Sequence, residues 1–145
     1  MKPSEVRQRI LEDHEVIRAI LVSLEYLAGQ VIAGSQSLGG PLRLEGEGLL
    51  VRLHTHMGWE DTYLRPALLE AKKWGEMRAH QLDADHREQR ELLTLALDRL
   101  QDPSRPPILV ARGVLDLVKL IRADMDEEEQ AMLGERILRV DVESD

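Results

Sequence analysis

The sequence predicts an all-α fold, an antiparallel up-down four-helix bundle, from three observations. Apolar residues recur at intervals of three and four along four segments, which is the spacing of one face of a helix. Alternating runs of Val, Ile and aromatic residues, which would indicate strands, are scarce, and the 145 residues contain no phenylalanine. Four amphipathic helices joined by turns can bury their apolar faces against one another. We therefore expect one domain over residues 1–145.

The first helix is predicted over residues 4–33, because Ser4 suits an N-cap and one apolar stripe follows it. This stripe consists of Ile10, Leu11, Ile17, Leu21, Leu24, Ala28 and Val31. The segment 34–41 is rich in Gly and Ser and ends in Pro41. That composition is typical of turns, so it predicts a long crossing loop.

The second helix is predicted over residues 45–73. Its stripe consists of Leu49, Leu53, Met57 and Leu64. Proline removes a backbone donor and clashes with the preceding turn, so Pro66 is expected to kink or end the regular helix near residue 65. The remainder is expected to be a distorted continuation that Gly75 terminates.

The third and fourth helices are predicted over residues 76–101 and 107–134. Their stripes are Ala79, Leu82, Leu93, Leu97 and Leu100, followed by Val110, Val114, Leu117, Ile121, Ala131 and Met132. Pro106 and Pro107 suit the first turn of a helix. A short acidic tail is expected after Gly134.

Composition excludes several classes of function. The chain has 27 acidic and 19 basic residues and a net charge of −8, which disfavours nucleic acid and anionic membrane surfaces as partners. It has no cysteine, so any metal must be held by imidazole and carboxylate groups. No secretory signal and no apolar run of about 18 residues is present, so we expect a cytoplasmic protein without a membrane span.

Six ionisable residues lie where the apolar stripes should continue. They are His14 on the first helix, His56 and Glu60 on the second, His86 on the third, and Asp124 and Glu128 on the fourth. Burying an ionisable group is costly unless it is paired, hydrogen-bonded or bound to a metal. All six can reach one level of an up-down bundle, which is how such bundles build metal sites.

Each member of this set also has an ordinary interpretation. A lone core histidine is usually satisfied by hydrogen bonds, and Asp124 and Glu128 belong to an acidic run typical of a solvated face. Six such groups together would carry a large burial cost without a cation, so a metal site is the better interpretation. Tyr63 shares the predicted face and is a candidate hydrogen-bond partner of a bridging oxygen, with ordinary packing as the alternative.

Two further histidines, His54 and His80, point to other faces of their helices and are excluded as ligands. Asp61 and Asp83 could accept a hydrogen bond from the imidazole nitrogen that does not bind the metal. The alternative for both is a solvated position on the surface.

Three segments carry a resemblance to a known family. They are Leu11–Glu15, His56–Pro66, in which Glu60 follows His56 by four residues and Leu-x-Pro follows, and Asp85–Leu92. In these the chain resembles the hemerythrin-like, HHE cation-binding family over about residues 5–135. The resemblance implies a four-helix bundle in which His14 and His56 ligate one iron, His86 ligates a second, and Glu60 and Glu128 bridge them.

The chain departs from the family pattern at two positions. Leu82 stands where a full ligand set has a histidine, and Asp124 stands where the last helix normally offers one. Both departures fall on the same iron, so two ions are expected with one position weak, and zinc or manganese could substitute.

The resemblance implies a non-haem, di-iron protein that binds or senses dioxygen, nitric oxide or iron, rather than an enzyme. One alternative is a di-iron oxidase or peroxidase, favoured by the extra carboxylate. Another is a bundle with a degenerate metal site that acts as an interaction module. The expected partner is a small diatomic ligand or a metal ion, and the sequence names no protein partner.

Overall fold

The computed structural model describes residues 1–71, 74–134 and 138. In chain order its four long helices are α1 (Pro3–Ile32), α2 (Gly39–Glu70), α3 (Gly75–Gln101) and α4 (Pro107–Ala131). No strand occurs among these described residues, so the all-α prediction is confirmed. None of the helices in this part of the chain is both long enough and apolar enough to cross a membrane.

The helices form an up-down-up-down bundle. α1 packs along α2 and α4, and α2 also packs along α3, whereas α3 and α4 touch only sparsely. Successive contacts between neighbouring helices run in opposite directions along the chain. Arg18 and Glu25 of α1 bind Asp126 and Arg122 of α4, respectively. Arg43 and Arg65 of α2 bind the carbonyl of Leu100 and the carboxylate of Asp83 on α3, respectively. Consecutive helices therefore run in opposite directions.

The long crossing loop expected at residues 34–41 is not present. Gly34 adopts a φ of 115° and follows the end of α1, a 3₁₀ turn spans Gln36–Leu38, and α2 begins at Gly39 instead of near residue 45. Pro41 lies in the first turn of α2, where backbone N–H groups have no helical partner and proline is tolerated. Gly39 is buried against Pro107 of α4, where an added Cβ would lie in ordinary contact, 3.4 Å from the proline Cβ.

The regular helix does not end near residue 65, because α2 continues as a helix through Pro66 to Glu70. Proline leaves the carbonyl of Thr62 without its helical donor. Both residues lie on the exposed side of the helix, where solvent can satisfy that carbonyl. Leu64 and Leu68 on the opposite side are fully buried and hold both flanks of the proline in the core.

The ends of the other helices agree with the prediction within a few residues. α4 ends at Ala131, three residues before the predicted end. Residues 72 and 73 of the predicted second helix lie outside the described residues. The acidic tail also lies outside them, apart from position 138.

The core consists of two apolar clusters. The larger one is built from the second half of α1, the first half of α2, and parts of α3 and α4. The smaller one is built from the start of α1, the end of α2, the start of α3 and the residues after α4. On every helix the boundary between them falls at a polar residue, so a polar layer crosses the middle of the bundle.

Candidate metal centre

Four buried side chains of the polar layer are His14, His56, Glu60 and His86. His14 lies between Ile10 and Ile17 of α1, and Glu60 lies between Met57 and Leu64 of α2. A helix repeats every 3.6 residues, so the stripe that fills the two apolar clusters also turns these polar groups inward. Glu128 of α4 joins them with a side chain that is 14% exposed.

Four of these side chains converge on one point. One ligand atom from each of His14, His56, Glu60 and Glu128 lies within 4.8 Å of the others. His14 Nε2 is 3.1 Å from Glu128 Oε1, and His56 Nε2 is 3.5 Å from Glu60 Oε1. The two imidazole rings lie 5.1 Å apart between centroids. Two imidazoles and two carboxylates thus surround a single small volume, which we call the four-residue cluster.

His86 lies beside this cluster. Its Nε2 is 3.0 Å from Glu60 Oε1, on the same carboxylate oxygen that faces His56. Glu60 therefore connects the four-residue cluster to His86.

A carboxylate stands behind each of the three imidazoles. His14 Nδ1 is 2.8 Å from Glu129, His56 Nδ1 is 3.2 Å from Asp13, and His86 Nδ1 is 2.7 Å from Asp61. An ionised carboxylate can only accept a hydrogen bond, so each Nδ1 donates. In His14 and His56, a neutral imidazole then has a free lone pair on the inward Nε2, which is the form that binds a metal. His86 differs, because its Nε2 also donates a hydrogen bond to Glu60. The contacts with Glu60 and Asp61 outweigh burial and raise the pKa of His86, so this ring must lose a proton before it can bind a metal.

Each supporting carboxylate is itself held by an arginine nearer the surface. Arg18 binds Glu129 at 2.5 Å and Arg90 binds Asp61 at 2.5 Å. The third pair, Arg9 with Asp13, is longer at 3.7 Å. Charge-assisted contacts of this kind fix the carboxylates and, through them, the orientation of the imidazole rings.

The protonation states of the cluster follow from burial and from its charges. Burial lowers the pKa of His14. Burial also acts to lower the pKa of His56, but the contacts with Glu60 and Asp13 outweigh it and raise that pKa. The pKa of Glu60 is lowered because its two histidine contacts outweigh burial.

The pKa of Glu128 is shifted in the opposite direction to that of Glu60. Burial and the charge of Glu60 raise the pKa of the Glu128 carboxyl well above its ordinary value. Two carboxylates this close cannot both be ionised without a compensating charge. A cation at the centre would replace the proton on Glu128.

Three buried polar atoms of the cluster indicate whether its residues can accommodate a cation. Among the described side chains, His56 Nε2, Glu60 Oε2 and Glu128 Oε1 are buried without a hydrogen-bond partner. An unpartnered buried polar atom costs about 1–3 kcal/mol. A metal ion would satisfy all three at once, and a set of imidazole nitrogens and carboxylate oxygens suits iron, zinc or manganese. The residues therefore fit a metal ion.

Asp124, a predicted ligand, is not part of the four-residue cluster. It is half-buried at the edge of the cavity described below and makes no hydrogen bond or ion pair within the described part of the chain. Burial, followed by the charges of Asp85, Glu127 and Glu88, raises its pKa.

Tyr63 does not share the buried face, contrary to the expectation. Its side chain is 39% exposed and packs on Trp59, with ring centroids 4.7 Å apart. His56 already lies at one border of the buried stripe of α2. Seven residues later the helix has turned about 20° further to that side, which carries Tyr63 out of the core.

The excluded histidines His54 and His80 are both exposed. Asp83 pairs with Arg65 instead of with an imidazole. Three carboxylates bind the outer nitrogens of the imidazoles. The sequence analysis considered Asp61 for this role but did not identify Asp13 or Glu129. A signal was available, because each of the three directly precedes or follows a residue of the polar layer.

A small cavity adjoins the cluster. Its volume is about 50 Å³, and its lining combines the four-residue cluster with apolar side chains that include Leu93, Leu117 and Ile121. This is room for a few water-sized molecules. Two of its lining residues, Leu92 of α3 and Leu120 of α4, are partly exposed, at 38% and 47%.

The profile of the hemerythrin HHE cation binding domain matches residues 5–135. No curated protein and no solved structure shows significant similarity to the chain.

Proposed function

Because this chain belongs to the hemerythrin HHE cation-binding family, we propose that it is a non-haem iron protein that binds or senses dioxygen, nitric oxide or iron itself. The observation that carries the proposal is the four-residue cluster, which aims buried atoms without partners at one point beside a small apolar cavity.

We propose iron as the ion because of the donor set and the family. His14 and His56 offer imidazole nitrogens, and Glu60 and Glu128 offer carboxylate oxygens. Iron accepts this mixture, although zinc and manganese do so as well. When bound, iron would supply a redox-active centre with coordination positions open to a small ligand.

We further propose two metal positions of unequal affinity. The four-residue cluster would form the stronger one. His86 with Asp124, sharing the Glu60 carboxylate, would form the weaker one. Two observations support a lower affinity at the second position. His86 Nε2 lies 3.0 Å from Glu60 Oε1 and is already paired with that carboxylate. Asp124 lies outside the four-residue cluster.

The proposed ligand is small and uncharged. The cavity has room for a diatomic molecule but not for an organic substrate. Its walls beyond the cluster are mainly leucine, isoleucine and methionine, which favour dioxygen or nitric oxide over a charged ligand.

The test is to load the protein anaerobically with ferrous iron, measure the bound metal, and record optical spectra before and after adding dioxygen or nitric oxide. We expect one tightly and one weakly bound iron, with a spectral change on adding either gas. Protein that retains no iron would contradict the proposal and favour an interaction module. Catalytic consumption of peroxide or ferrous iron would favour the oxidase or peroxidase alternative.

Iron affinity is expected to rise with pH and to weaken steeply below about pH 6, because imidazole and carboxylate ligands must lose their protons to coordinate. His56 and Glu128 have raised pKa values, so both still hold protons in the metal-free protein at a pH where ordinary groups would have lost them. Each proton that the metal displaces changes the apparent affinity about tenfold per pH unit. Competition with a chelator from pH 8 to pH 5 measures this, and constant occupancy would rule out imidazole ligation.

A further inference from the structure

A surface pocket between α3 and α4 is lined by acidic residues, and we call it the acidic pocket. Its lining contains five carboxylate residues and no lysine or arginine, and the five are Asp85, Glu88, Asp124, Glu127 and Glu128. Asp85 accepts a hydrogen bond from the amide of Gln81. Within the described part of the chain, none of the five pairs with a lysine or an arginine. The pocket therefore gathers negative charge that its own walls do not neutralise.

The acidic residues are buried more deeply from the rim of the pocket to its base. Glu88 and Glu127 at the rim are exposed, and Asp85 and Asp124 are half-buried. The Glu128 side chain at the base is only 14% exposed. Attraction between charges strengthens as water is left behind, so a cation is drawn from the rim towards the base.

The base of the acidic pocket adjoins the four-residue cluster. Asp124 and Glu128 line both the acidic pocket and the small cavity beside the cluster. Glu128 Oε1 is buried without a hydrogen-bond partner among the described residues. The same holds for Oε2 of Glu60, a side chain that lines the small cavity and is 1% exposed. These buried oxygens indicate a cation beyond the base of the pocket, independently of the acidic residues at its rim.

Two other surface pockets approach the imidazoles, and neither has an excess of negative charge. The pocket between α2 and α3 contains Asp61, the partner of His86, and is lined by three acidic residues and three arginines. The pocket between α1 and α2 contains His56 and is lined by two acidic residues and two arginines. Arginine repels a cation on both of these approaches. Of the three approaches, the acidic pocket is therefore the one that attracts a cation.

We propose that the acidic pocket is the route by which a divalent cation reaches the four-residue cluster. The route rests on the proposed function, because it leads to the proposed metal centre. The acidic pocket has a volume of about 330 Å³, whereas the small cavity has about 50 Å³. The ion can thus arrive with bound water and exchange it for carboxylate oxygens as it moves inward. Asp124, which lies outside the cluster, serves as a transient ligand between the rim and Glu128.

The test measures the rate at which Co²⁺ binds to the full chain, by stopped-flow absorbance, and the equilibrium affinity separately. The variant Glu88→Gln with Glu127→Gln removes both charges at the rim. We expect its association rate constant to fall about tenfold at low ionic strength, because a charged cleft accelerates association by about 10- to 1000-fold. The affinity should change less than the rate, because the rim lies nearer to the incoming ion than to the bound one. In about 1 M salt the Debye length is about 3 Å, so the difference in rate should largely disappear.

The matched control is Asp98→Asn with Glu70→Gln, which removes the same total charge from two exposed residues outside the acidic pocket. Its association rate should stay close to that of the wild type, and circular dichroism checks that both variants remain helical. A rim variant that binds Co²⁺ as fast as the wild type, or a control that is slowed equally, would overturn the route and leave the metal site standing. A wild type that binds no Co²⁺ at equilibrium would overturn the proposed function and the route together.

Discussion

Replacing His56 or Glu60 by alanine is expected to remove most of the bound metal while leaving the four helices formed. Both side chains contribute a ligand atom to the four-residue cluster. Removing a residue that only supports a metal ligand typically costs 10–100-fold in affinity, so removing a ligand should cost more than about a hundredfold. The helices should persist because leucine, isoleucine and valine dominate the two apolar clusters. Metal content and circular dichroism measure the two effects separately.

His54→Ala is the matched control for this experiment. His54 lies two residues from His56 on the same helix, but its side chain is exposed. It should retain the metal of the wild type. Glu60→Gln keeps the shape of the buried side chain and removes its charge, so it separates loss of ligation from loss of packing. Unchanged metal content in both His56→Ala and Glu60→Ala would exclude the proposed site.

Glu129→Gln is expected to weaken metal binding by about 10–100-fold although Glu129 is outside the four-residue cluster. Its carboxylate lies 2.8 Å from His14 Nδ1 and orients that imidazole. Glutamine keeps the size of the side chain but loses the charge that stabilises the Nδ1–H donor. Competition with a chelator of known affinity measures the loss.

Asp126→Asn provides a control for indirect effects. Asp126 is 66% exposed and binds Arg18, the same arginine that holds Glu129. A substitution there alters the arginine's pairing without removing the carboxylate that faces His14, so metal affinity should stay near the wild-type value. Equal losses in the two variants would show that Glu129 acts through Arg18 and not through the imidazole.

Periodicity along the chain was sufficient for the four helices, the all-α class and the inward position of His14, His56, Glu60 and His86. A helix repeats every 3.6 residues whatever surrounds it, so an apolar stripe fixes which side chains face the core. The motif around His56 and Glu60 was also sufficient to suggest the family, which the profile match supports independently.

Contacts between helices decided the features that the sequence left undetermined. At its start α2 is buried against Pro107 through Gly39, and on either side of Pro66 the buried Leu64 and Leu68 pack into the core. The apolar stripe of a helix predicts which face of the helix a residue lies on, but it does not predict how far its side chain is from the centre of the bundle. Asp124 therefore stands at the cavity edge whereas Glu128, one turn later on the same helix, enters the cluster. The carboxylates behind the imidazoles depend on the rotation of neighbouring helices, which only the packed bundle determines.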